Sequence, residues 1–110
     1  MKKLLITLAF ASTCAHAEFF DGNDLLAHLT DSSSQINRAI AIGYIAGVSD
    51  TGLGSVHCAP SSVSLKQVTD VVRIALDASP TDRHKAADSL ILRAVKIAWP
   101  CQSKGRGQSM

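Results

Sequence analysis

Ile36-Asn37-Arg38-Ala39-Ile40-Ala41-Ile42-Gly43-Tyr44-Ile45-Ala46-Gly47-Val48-Ser49-Asp50 is the stretch on which the fold turns. Every residue of 39–48 is apolar, small or aromatic, so a helix here has almost no polar side for water and must be wrapped by its neighbours. A run of about ten such residues falls well short of the roughly 20 that a membrane span requires, which makes it the hub helix of a soluble domain. Gly43 and Gly47 stand one turn apart and bare the backbone on one side, a groove into which a second helix can pack. Each helical Gly costs up to about 1 kcal/mol relative to Ala, which close packing must offset. Packing of Gly43, Tyr44 and Gly47 inside the monomer is the first expectation; pairing with a second copy is the alternative, since Gly-x-x-x-Gly is a weak signal outside membranes.

Upstream of the hub, Phe19 and Phe20 lead into a short helix that Asp21 or Asn23 can cap, with Leu25, Leu26 and Leu29 as its apolar stripe. Asp31 and three serines then form a turn whose last hydroxyls can cap the hub. Downstream, residues 51–64 are rich in Gly, Ser and Pro and read as a loop. Ser64 followed by Gln67 is a capping box opening a third helix to about Asp77. Leu65, Val68, Val71, Val72, Ala75 and Leu76 form its buried stripe, and Lys66, Asp70, Arg73 and Asp77 its wet side. Ser79-Pro80-Thr81-Asp82 supplies a cap, a proline where no amide is missed and an acid near the positive helix end, so a fourth helix is expected to begin there and to stop at Pro100. Trp99 is expected to pack on the core. The reading is an all-α, single-domain bundle of about four helices over residues 18–102, followed by a flexible tail at 103–110.

The first 17 residues need no fold to explain them. Lys2 and Lys3, an apolar run over 4–11 and Ala15-His16-Ala17 make a secretory signal peptide, with cleavage expected after Ala17 and a periplasmic destination. Ser12-Thr13 before Cys14 suits a lipidation signal poorly. Loss of Lys2 and Lys3 from eleven basic residues leaves nine against nine acidic ones, a formally neutral chain. Neutrality argues against nucleic acid and anionic membranes as partners, because both recruit a basic face.

Of three cysteines Cys14 leaves with the leader, and in an oxidising compartment Cys58 and Cys101 should pair. Closing a loop of about 44 residues contributes roughly 4 kcal/mol on the chain-entropy model. A Cys58 nucleophile activated by His57 is the lesser reading, since sequence neighbours rarely point at each other and oxidation consumes the thiol. His28, His57 and His84 lie on different elements without metal-ligand spacing, so no metal or other cofactor is expected. The chain has no Gly-x-Ser-x-Gly elbow, phosphate-cradling glycine loop or paired carboxylates, and the expectation is a non-enzymatic protein.

Several stretches together resemble the Rap/Tai type immunity proteins, exported proteins that protect bacteria from peptidoglycan amidase toxins delivered by type VI secretion. They are Phe20-Asp21-Gly22-Asn23-Asp24-Leu25-Leu26, Gly43-Tyr44-Ile45-Ala46-Gly47-Val48 with Asp50, Cys58-Ala59-Pro60 followed by Val63-Ser64-Leu65-Lys66-Gln67, Pro80, and Ala98-Trp99-Pro100-Cys101. The resemblance implies an all-helical domain that binds a cognate amidase and blocks its active-site cleft, often as a dimer. Many members carry a further cysteine pair before and inside the hub, where this chain has residues such as Leu29 and Ile42; one bridge remains. The alternative function is a periplasmic structural or envelope-assembly protein. For the partner contact the expectation falls on Thr51, Gly52, Leu53, Gly54, Ser55 and His57, a loop with an apolar tip and hydrogen-bonding groups, anchored at Cys58.

Overall fold

The computed structural model describes residues 19–102; the expected signal peptide with its cleavage point after Ala17, and the expected flexible tail, lie outside them. Among the described residues there are four helices and no strand: α1 (Gly22–Leu29), α2 (Gln35–Gly52), α3 (Leu65–Ala78) and α4 (Ala87–Ala98). Each helix packs against the other three. Leu25 of α1, Ala41 and Ile45 of α2, Val72 and Leu76 of α3, and Leu90, Ile91 and Val95 of α4 make one buried core, with Phe20, Tyr44 and Trp99 packed around it. None of these helices is long and apolar enough to cross a membrane.

Three helix starts follow local side-chain chemistry. The Asp21 carboxylate accepts from the Asp24 amide while Asp24 accepts from the Asp21 amide, a reciprocal box that closes α1. Ser34 caps α2, and Ser64 with Gln67 forms the expected box on α3. On the wet side of α3, Lys66 pairs with Asp70 and Arg73 with Asp77 one turn on. Leu65, expected in the buried stripe, is exposed at the first position of that helix.

The fourth helix starts later than its cap-like sequence suggests, at Ala87 rather than near Pro80. The cause is tertiary. The first amides of α1 have no partner within their own helix and need acceptors. Lys85 accepts from the Gly22 amide at 3.0 Å and Arg83 from Asn23 at 2.9 Å, and the Ala87 amide donates to Phe20 at 3.0 Å. Carbonyls turned toward the α1 amides do not point along the axis of an early α4 turn, so residues 79–86 stay a turn. The approach is close: a Cβ on Gly22 would lie 2.8 Å from the Arg83 carbonyl oxygen and 2.5 Å from Leu90 Cδ1.

The hub helix is central but not wrapped. Gly43 and Gly47 are exposed, and nothing lies within 4 Å of a Cβ built on either, so they form no helix groove inside the monomer as the sequence reading expected. Ile36 and Ile40, on the same side, are 72% and 46% exposed. Length explains this: 18 residues make a rod of about 27 Å, and three shorter helices cover one side of it, burying Ala41, Ile45, Ser49 and Gly52. Cys58 and Cys101 are joined, with Cα atoms 4.8 Å apart, which ties the α2–α3 connection to the end of α4.

Candidate functional site

The six residues expected to meet a partner divide between the end of α2 and a tight turn. Thr51 and Gly52 belong to the last helical turn, and the loop proper begins at Leu53. Gly52 is buried; a Cβ there would stand 2.8 Å from Leu92 Cδ2 and 3.1 Å from Val56 Cβ, so this glycine, not Gly43 or Gly47, is where α2 meets a neighbour closely. Its carbonyl oxygen accepts from the amides of Ser55, Val56 and His57 at 3.1, 2.8 and 3.2 Å. The turn reverses at Gly54, whose φ of 85° lies in the region where side chains are strained, and the Gly54 amide donates to the His57 carbonyl at 2.8 Å.

His57 is an internal strut rather than a contact residue, being only 4% exposed. The Ala59 amide donates to its Nδ1 at 3.3 Å, which places the ring proton on Nε2, and Nε2 donates to the Ser49 carbonyl at 2.8 Å. That carbonyl is one of the last four of α2, and the Leu53 amide that a continuing helix would give it bonds Asp50 instead. The imidazole therefore satisfies a helix end that the turn would otherwise leave unpaired. Sequence reasoning missed Ser49, buried with its hydroxyl unpartnered, because nothing in its local pattern marks it.

What remains outward is compact. Leu53 is 56% exposed, and Thr51, Gly54 and Ser55 are exposed around it. The hydroxyls of Thr51 and Ser55 donate inward, to Val48 at 2.6 Å and Gly52 at 3.3 Å, so toward a partner they offer lone pairs. Behind the turn the Cys58 amide donates to the Trp99 carbonyl at 2.8 Å, alongside the bridge to Cys101. An apolar knob is thus held by a disulfide, a buried histidine and a closed ring of backbone bonds. Among the described residues no group of three or more His, Cys, Asp and Glu is placed to hold a metal. His28, which meets the Phe20 ring, lies on α1, His84 lies on the 79–86 turn and His57 in the knob's base.

A family model described as the Rap1a immunity proteins matches residues 21–101. No curated protein matches the chain.

Proposed function

The chain belongs to the Rap1a immunity protein family, and on that premise we propose that it is a periplasmic immunity protein that binds a peptidoglycan amidase effector of type VI secretion and occludes its active-site cleft. The observation that carries the binding mode is the knob at Leu53. A hydrolase cleft is concave, and a rigid apolar projection with acceptor oxygens around it is the complementary shape. Little conformational entropy is lost on docking a turn that its own disulfide and backbone bonds already fix. Protection by occupation needs no catalytic group and no cofactor on this side of the interface. The leader-like residues 1–17 support export to the compartment where peptidoglycan is cut. The test is titration of the exported protein into a Cys/His amidase encoded beside its gene: the reading expects a stoichiometric complex and loss of amidase activity. Co-purification with an envelope assembly, without effect on any amidase, would instead support the structural alternative.

A second copy is the proposed occupant of the exposed α2 face. Residues 39–48 carry no charge, so two such faces meet without like-charge repulsion, and Gly43 and Gly47 let the backbones approach. Gly47→Leu should then yield a folded monomer where the parent gives dimer mass by light scattering; dimer mass unchanged in Gly47→Leu would remove this face from the interface.

A further inference from the structure

We propose that the pocket between α3, the 79–86 turn and α4 binds a small monocarboxylate carried on a short aliphatic stem. The assignment is independent of the amidase reading. The pocket holds about 80 Å³, and Leu76, Leu90 and Ile97 give it apolar walls, while Ser79, Arg83 and Arg93 bring polar atoms to it. Since a water molecule occupies about 30 Å³ of liquid, this space suits a stem of a few heavy atoms.

Arg83 supplies the reason to expect an anion. Its Nε is buried without a hydrogen-bond partner, and among the described residues its side chain makes no ion pair. A guanidinium presents its donors in a planar fork that matches a carboxylate, so an arginine that lines a pocket without an ion-pair partner offers a place for an anion. Arg93, which also lines the pocket, is held by Asp82 at 3.1 Å, and Lys85 grips the same carboxylate at 3.1 Å. Asp82 is thus shared between Arg93 and Lys85, and the charge of Arg83 is left without a carboxylate partner among the described residues. A phosphate would meet the charge but place a multiply charged group against the apolar walls; a carboxylate on an aliphatic stem satisfies both halves of the pocket.

Titration of the purified, disulfide-bonded protein with butyrate, followed by amide NMR, should give saturable shifts centred on Ser79, Arg83 and Ala94. Butyramide, the neutral isostere, should bind at least about tenfold more weakly, and Arg83→Gln should weaken butyrate by a similar factor, while Arg73→Gln on the wet side of α3 should not. Should Arg83→Gln fail to fold, Arg83→Lys, which keeps the charge but loses the planar fork, should weaken butyrate as well. N-acetylglutamate α-amide distinguishes the source: binding comparable to butyrate assigns the pocket to a glutamate side chain of a bound protein, and binding of butyrate alone assigns it to a free acid. Absence of saturation with butyrate, or equal binding of butyramide, would overturn the proposal.

Discussion

Replacing His57 by Phe keeps the volume of a buried ring and removes both of its hydrogen bonds. The Ser49 carbonyl then loses the Nε2 donor at 2.8 Å, and the Ala59 amide loses its acceptor at 3.3 Å. The first loss is the larger, because Ser49 is buried and the Leu53 amide is already committed to Asp50. An acceptor stranded in that position costs about 1–3 kcal/mol, and the longer, half-buried Ala59 bond adds about 0.5–1, so the variant should lose about 1.5–4 kcal/mol. Urea unfolding followed by far-UV circular dichroism measures this directly. His57→Gln, whose amide retains a donor, should fall between parent and Phe variant. The change should be one of stability, with partner affinity retained wherever the variant is still folded, since the ring does not reach the surface. A loss below about 0.5 kcal/mol, the range of ordinary surface substitutions, would refute the strut assignment.

Other expectations follow from the same geometry. Cys101→Ser opens the bridge and should lower stability by about 2–5 kcal/mol, read as a fall in melting temperature; an unchanged midpoint would contradict it. Gly22→Ala drives a methyl against the Arg83 carbonyl and should cost about 1–3 kcal/mol, whereas Gly43→Ala, facing open space in a helix, should stabilise the dilute monomer by about 0.5–1 kcal/mol. The carboxyls of Asp31, Asp70 and Asp82 all sit below the ordinary aspartate value, held down first by the Ser33 hydroxyl, Lys66 and Lys85 respectively. Folded values below unfolded ones mean stability that is present above the unfolded value and lost as pH falls through the folded ones. Unfolding midpoints should therefore decline below about pH 4, and Asp82→Asn should flatten part of that decline.

Local chemistry made most of the bundle legible. Caps at Asp21, Ser34 and Ser64 act within one turn of their own helix, and the α3 periodicity needs only one neighbour to bury it. The start of α4 was not legible because the carbonyls of Arg83 and Lys85 are claimed by α1, some 60 positions earlier. Glycine roles failed for a related reason. Whether a bare helix face is covered depends on the lengths of the other helices, so Gly43 and Gly47 stay open while Gly22 and Gly52 carry the close contacts. At the candidate site the apolar tip, Leu53, was visible from composition; the burial of His57 was not, because a histidine in a Gly/Ser-rich loop reads as a surface group until the turn closes over it.

The most direct measurement is inhibition of the proposed amidase partner by the purified protein and by its Leu53→Asp variant, with circular dichroism confirming that both are folded. Placing a carboxylate on the exposed knob should weaken inhibition by at least about 2 kcal/mol, roughly thirtyfold, while Arg73→Ala leaves it unchanged. Equal inhibition by the parent and Leu53→Asp would contradict the knob-in-cleft account and move the contact to another face of the bundle.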